Sequence, residues 1–535
     1  MTIARSQNSF GGQDASFIDD VVTPSRVAIA RGPSEYGGVP PYSPSAAYPE
    51  YPFANEPSDG RYSSPTTIED PYAAVRESLR LLGLDPDHYG TSQWNPLGCV
   101  VEPGDTVVLK PNLVREYRES APGDGQCTIT HGSVIRAVAD YVYLALHGSG
   151  RIIIADAPIS DANFAAICRI TGLNELQLFY KRAAGFNIEI QDLRPEVAEK
   201  IDGVIVGHRP IPGDPEGYAI VDLGGSSAFV SVQQLCGLLY GSEYDTREIR
   251  RHHVDGRHAY SISRTVLLAD CVISIPKLKT HKKVGLTVNL KNLVGINGNK
   301  NLLPHHREGT PAQGGDQFAD DAVKNRVELR TLATFKRVFP YLGPLRSIVA
   351  WPIKAAGKRM FGDTSVDRIR SGNWYGNDTT WRMVHDLNRI LLYADAEGRL
   401  HDRLQRRFFS VVDGIVAGQG NGPLDATAKP CGVVLAGTNS VAIDFTCARL
   451  MNFDWQRLPV LRYAFDAHPL AMTTFGSYDV VSRSNDDSWT GRVMDFEGDL
   501  FAFKPHFGWT GHVERGRDEV AAAVAETRRA VAAQR

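Results

Sequence analysis

Lys277, Lys279 and His281 alternate within Pro276-Lys277-Leu278-Lys279-Thr280-His281, and Lys291-Asn292 stands a short distance beyond. Alternate residues of an extended chain project to one side, so these three would concentrate positive charge in one place. Such a place suits a phosphate or a carboxylate. A lysine held near other cations and partly desolvated has a lowered pKa, which makes it a base or a nucleophile. Lys279, Lys291 and His281 are therefore the candidate catalytic residues, with His281 as general acid or base. Lys277 is a candidate for holding the substrate, and Lys282 and Lys283 are expected in a solvated loop.

Four apolar runs end in polar residues. Val107-Val108-Leu109 runs into Lys110-Pro111-Asn112, and Ile152-Ile153-Ile154-Ala155 into Asp156. Val272-Ile273-Ser274-Ile275 runs into the basic hexapeptide, and Ser410-Val411-Val412 into Asp413-Gly414. A single Asp or Asn after a strand is often a turn former. Four such ends together predict one crevice, because open parallel sheets bind ligands beyond the carboxyl ends of their strands. Thr130 and His131 precede a predicted helix start at Ser133, where unpaired N–H groups and the dipole favour an anion; plain capping explains them equally well. Leu286 to Gly295 alternates apolar residues with Thr287, Asn289 and Lys291, which predicts a polar stripe beside the hexapeptide, with Asn292 as a further binding residue. Of the neighbours His305 and His306, one is expected to reach the site of His281.

Asp156, Asp413 and His305 are the candidate donors for a divalent metal, with His385, Asp386 and Asp444 as more remote additions. The glycine-rich stretch Gly414 to Pro423 matches neither the dinucleotide nor the P-loop pattern. Gly422 is kept as a close backbone contact to a ligand. A Ser or Cys nucleophile triad has no recognisable signature.

These residues need a scaffold. Asp105–Leu109 and Arg151–Ala155 read as buried strands, and a helix from Ser133 with Val134, Val138, Val142 and Ala145 on one face lies between them. Ser160 or Asp161 predicts a second cap, for a helix ending at Gly172. Thr265–Ile275, Phe408–Val412 and Gly432–Ala436 read as further strands, with helices over 70–82, 380–392 and 440–451. This rhythm predicts an α/β fold with a mostly parallel central sheet flanked by helices. The Gly, Pro, Ser and Tyr-rich residues 1–66 read as a disordered arm. Residues 67–320 and 373–510 read as two parts of the α/β domain, and 511–535 as a helical tail. Between the two parts, 321–372 reads as a basic amphipathic helical insertion. Within 324–370 there are eleven Lys or Arg against three acids, a surface for peripheral contact with anionic lipid.

The net charge of −3 over 535 residues gives no overall footprint for nucleic acid. The seven cysteines are widely spaced, so neither a zinc knuckle nor an iron–sulfur cluster motif is present. Free thiols, no signal-peptide core and no long apolar run point to the cytoplasm.

The chain resembles the bacterial and archaeal family called domain of unknown function 362. The likeness runs in order through Lys110-Pro111-Asn112, Thr130-His131, Asp156, Pro276 to His281, Thr287, Lys291 to Gly295, Asp413-Gly414, Gly422-Pro423 and Ala442-Ile443-Asp444, over roughly residues 100 to 455. It implies no defined activity. Some relatives carry ferredoxin-type iron–sulfur modules, which this chain's cysteines do not match. A more distant analogy is to the nickel-pincer lactate racemase, also α/β, whose His and Lys residues His281, Lys291 or Lys300, and His305 could echo; it carries no cofactor over. The expectation is an enzyme acting on a phosphorylated or carboxylated metabolite, its cofactor unassigned. The alternative is a non-catalytic ligand-binding or accessory protein docked to a membrane or partner enzyme through its basic insertion. The oligomeric state is left open.

Overall fold

The computed structural model describes residues 25–53, 70–118, 120–121, 125–201, 204–241, 247–320, 322, 369–497 and 500–516. Its first strand, β1 (Arg26–Arg31), is followed by helix α1 (Pro71–Leu82), β2 (Thr106–Pro111), α2 (Gly132–Ala145) and β3 (Arg151–Asp156). Next come α3 (Phe164–Ile170), α4 (Leu173–Ala184) and β4 (Glu189–Asp192). Three small two-stranded sheets use β5 (Glu196–Ile201) with β6 (Val204–Pro210), β7 (Tyr218–Asp222) with β9 (Ala259–Ser263), and β8 (Leu239–Tyr240) with β13 (His306–Arg307). Between β9 and β13 run α5 (Arg264–Leu267), β10 (Cys271–Ile275), β11 (Lys277–His281), β12 (Gly285–Thr287) and α6 (Asn289–Asn292). The chain closes with α7 (Thr380–Tyr393), β14 (Arg407–Gln419), β15 (Thr427–Gly437), α8 (Ser440–Leu450), β16 (Val481–Ser484) and β17 (Gly491–Arg492).

The main sheet has the order β17-β16-β1-β15-β14-β10-β2-β3-β4, and β11 joins it through β14. Strands β14, β10, β2, β3 and β4 are mutually parallel, while β15 runs antiparallel to both β14 and β1. The α/β expectation holds. Alternation along each strand sends its apolar side chains to two faces. Val107, Leu109, Ile152, Ile154 and Ile273 pack with α1, α2 and α4 on one face. Val108, Ile153, Val272, Phe408 and Val412 pack with α7 and α8 on the other. Helices on both faces of a parallel sheet leave the carboxyl ends of β2, β3 and β10 together at one edge.

Several expectations are corrected. The first 66 residues are not disordered throughout, since β1 pairs with both β15 and β16. Residues 40–53 are held to α1, α2 and α4 by Glu50 with Arg76 at 2.6 Å, by Tyr51 with Arg136 at 2.8 Å, and by Phe53 against Phe179 and Tyr180. The low average hydropathy of the stretch hides the apolar run Val27-Ala28-Ile29-Ala30, whose partners come from the far end of the chain. Thr265–Ile275 is not one strand. Ser263 caps the short α5, and the strand starts at Cys271. The caps of α2 and α3 are His131 and Asn163 in place of Ser133 and Ser160 or Asp161. Leu286–Gly295 is not an extended stripe; Asp444 of α8 accepts the amides of Asn289 at 2.8 Å and Leu290 at 3.0 Å and starts α6 there. Nearly all of the basic insertion and the helical tail from 517 lie outside the described residues.

Candidate functional site

Pro276 follows β10, and the rest of the hexapeptide is itself a strand. It forms β11, parallel to β14 through Lys277↔Asp413 and Lys279↔Gly418, and antiparallel to β12 through Lys279↔Thr287 and His281↔Gly285. Leu278 turns into the core. The glycines opposite make this possible by close approach. A Cβ on Gly414 would lie 3.2 Å from Leu278 Cδ2, one on Gly418 3.0 Å from Lys279 Cβ, and one on Gly422 2.1 Å from the Thr280 carbonyl. The run from Gly414 is thus mostly strand, and its glycines seat β11. Gly422 closes the seat further by accepting Lys282 N–H at 3.0 Å through its carbonyl.

Five lysines converge at this edge. Lys110 and Lys277 have carboxylate partners: Lys110 Nζ lies 2.7 Å from Asp156 Oδ1, and Lys277 Nζ lies 3.0 Å from Asp413 Oδ2. Both pairs are buried, and burial lowers both lysine pKa values against the pull of the aspartates. The other three lysines have no carboxylate partner among the described residues. Lys279 donates only to the Thr128 carbonyl, and Lys300 donates to the carbonyls of Ala157 at 2.7 Å and Asn297 at 3.1 Å. Lys291 has no hydrogen-bond or ion-pair partner among the described residues. Burial pulls Lys279 and Lys300 down to about 7 and Lys291 to about 8, and neighbouring lysines add to each shift.

Two histidines complete the cluster. His281 Nδ1 accepts the Lys283 amide at 3.1 Å, so the neutral ring carries its proton on Nε2. His305 Nδ1 faces the Leu303 carbonyl at 2.8 Å and must donate, which leaves Nε2 as a lone-pair acceptor. Burial, and then Lys291 for His281 or Lys283 for His305, pushes both pKa values well below the ordinary range. Each influences the other's surroundings only as a neutral ring at pH 7. One presents an N–H and the other a lone pair.

Residues 204–449 match the model of the family described as Domain of unknown function (DUF362). The match is narrower than the stretch that carried the resemblance. It takes in β10 to α8, with all of the unpaired lysines, and leaves out Lys110, Thr130, His131 and Asp156. The chain is also 21% identical over 367 residues to the Thylakoid-associated protein sll1697 of Synechocystis sp., covering 68% of each chain. Neither match involves the lactate racemase.

The remaining expected site residues have mixed fates. Thr130 is a clamp: its hydroxyl donates to the Ile275 carbonyl at 2.6 Å and accepts the Asn112 amide at 2.9 Å. Asn292 is likewise occupied, donating to the Lys110 carbonyl and Ser274 and accepting from Lys110 and Asn112. Asn112 Oδ1 is buried without a partner among the described residues. His131 caps α2, and its amide donates to Asp413 at 2.9 Å, so the anion at that helix start is the chain's own carboxylate. Its ring is pushed down to about 4, chiefly by burial.

The proposed metal donors Asp156, Asp413 and His305 are not gathered: each aspartate faces a lysine and a backbone amide, Leu113 for Asp156 and His131 for Asp413. Among the described residues no three His, Cys, Asp or Glu side chains form a metal set. His385 and Asp386 serve packing, bound to the Val460 carbonyl and to Ser227, Ala228 and Tyr260. Lys283 is not in a solvated loop, because its amine donates to the Ser371 carbonyl at 2.6 Å.

Sequence reasoning missed Tyr36. Its hydroxyl donates to Asp413 and accepts from Lys277, and its ring stacks on His131 at 3.9 Å between centroids. The only sequence signal was an aromatic residue within a Gly-rich stretch. Lys300 appeared only in the lactate racemase analogy.

Proposed function

We propose that this chain is an enzyme acting on an anionic metabolite held by Lys279, Lys291 and Lys300, with His281 and His305 moving protons. The observation that carries the reading is a set of three lysine amines without a carboxylate, beside two neutral imidazoles with opposite free faces. An anion entering this edge relieves the mutual repulsion of the lysines. His281 Nε2–H can donate to a leaving or developing oxygen, and His305 Nε2 can accept a proton. Lys277, Asp413 and Tyr36 form the fixed wall beside them. We place the protein in the cytoplasm.

The test starts with mass spectrometry of the purified chain under native conditions, with metal analysis, to identify what co-purifies. Turnover of that compound is then compared between the native chain and His281→Ala and Lys279→Ala. Unchanged turnover in both variants would refute the enzyme reading.

A second reading is supported by the thylakoid association named for the cyanobacterial relative. In it the chain is a ligand-binding accessory protein at a membrane surface, docked through basic residues 324–370. No helix among the described residues is long and apolar enough to cross a membrane, so contact would be peripheral. Co-sedimentation with anionic vesicles, with and without 324–370, tests it; equal binding by both chains sinks it.

A further inference from the structure

We infer that the ligand of this site carries a multiply charged phosphate group, of the pyrophosphate or phosphate-ester class, and is not a monocarboxylate. The inference deepens the anion-site reading above and rests on it.

The argument begins with charge. Lys110, Lys277, Lys279, Lys291 and Lys300 face two aspartates, Asp156 and Asp413, and each aspartate is engaged by one lysine. Three lysine amines are left over, each of which an anion would favour in its charged form. Lys291 is their hub, because it raises the cost of charging Lys279, Lys300, His281, Lys283 and His305 alike. A single carboxylate would neutralise one of the three and leave the others, Lys279 buried and Lys291 and Lys300 half-buried, still repelling each other. A group with two or more negative charges answers the surplus.

The kind of cation points the same way. The three unpaired groups are all lysines, which bind phosphate as point charges, whereas the planar fork of arginine suits a carboxylate bidentately. The Arg194 guanidinium, which bears on Lys300, is already held by Asp192 at 2.7 Å.

A second, independent observation is an unused hydroxyl. Thr287 is 3% exposed and its Oγ1 has no hydrogen-bond partner among the described residues. It stands directly opposite Lys279 in the antiparallel β11–β12 pair, and directly opposed residues share a face. The hydroxyl therefore lies on the same side as the Lys279 amine. A buried hydroxyl is costly to leave unpaired, and a phosphate has acceptor oxygens in more than one direction to meet both groups. Gly295 keeps the other wall rigid, since a Cβ there would lie 2.0 Å from Asp156 Oδ1 and 2.7 Å from Lys110 Nζ.

Calorimetric titration of the full chain with acetate, inorganic phosphate and pyrophosphate tests the inference. Affinity should rise from acetate to phosphate to pyrophosphate, by about tenfold or more between the first and last, an increment of about 1.4 kcal/mol. Lys291→Met should abolish the preference, Lys291→Arg should retain pyrophosphate binding, and Thr287→Val should weaken it about three- to tenfold, as expected for one hydrogen bond to a charged group. Circular dichroism melts of each variant confirm that the fold is intact. If acetate binds as tightly as pyrophosphate and Lys291→Met weakens both, the phosphate inference fails while the anion site stands. If none of the three probes binds, or binding ignores both Lys291 variants, the anion-site reading fails with it.

Discussion

Lys277 and Lys279 lie two residues apart on one strand, both fully buried, yet their surroundings are opposite. Lys277 meets Asp413 and Tyr36, and the hydroxyl and carboxylate leave its charge compensated. Lys279 meets one backbone carbonyl. The Lys110–Asp156 pair repeats the first arrangement, and Lys291 with Lys300 the second. The compensated lysines hold elements together: Asp413 ties β14 to β11, to the start of α2 and to the N-terminal segment, while Asp156 ties β3 to β2. The uncompensated ones hold nothing that a neutral side chain could not. Paired charge serves the fold on one side of the site, and unpaired charge awaits a ligand on the other.

The contrast can be broken most forcefully at Asp413. Asp413→Ala strands the Lys277 ammonium in a dry place and should cost about 3–5 kcal/mol of stability, read by urea denaturation; a loss under about 1 kcal/mol would show that the pair is not structural. Gly295→Ala should cost about 1–3 kcal/mol by forcing apart Lys110 and Asp156, measured in the same way, with no change expected if the backbone can yield.

The pH response sharpens the comparison. Lys279 and Lys291 titrate at about 7 and 8 in the folded chain against 10.5 for an unperturbed lysine. Between these values the unfolded chain binds more protons than the folded one, so the ligand-free protein should gain stability as pH rises from 7 towards 10. Bound pyrophosphate favours the charged amines and should flatten or reverse that trend, and its own affinity should fall above pH 8. Thermal melts across this range, with and without the probe, decide it. The smallest effect is expected at Lys291→Met. Removing a charge that has no partner should leave stability within about 0.5 kcal/mol or raise it, and a loss of several kcal/mol would reveal a structural role.

Much of this edge was legible in the sequence because strand ends followed by polar residues are local signals. Lys110, Asp156, Lys277 and Asp413 each follow an apolar run that reads as a strand from its own residues alone. The pairing among them was not legible, since Lys110 with Asp156 and Lys277 with Asp413 are contacts across strands. The hexapeptide's extended alternation is local and readable, but that Pro276 separates two strands which both adjoin β14 is a contact across the sheet. Gly414, Gly418 and Gly422 suggested a ligand contact because close backbone approach to a strand and to a ligand ask for the same residue. Tyr36 was invisible for another reason. A residue joins a site through its neighbours, and β1, which leads into Tyr36, draws its partners from the distant end of the chain.

That strand imposes an order on biosynthesis. Val27 to Ala30 leaves the ribosome early, but β1 pairs on one side with Val433–Ala436 and on the other with Val481–Ser484. Through most of translation it is an apolar strand with both edges open, the condition that invites mispairing and aggregation. Long sequence separation also makes this closure slow. The sheet is sealed by the earliest of its described strands, and only after nearly the last of them has emerged.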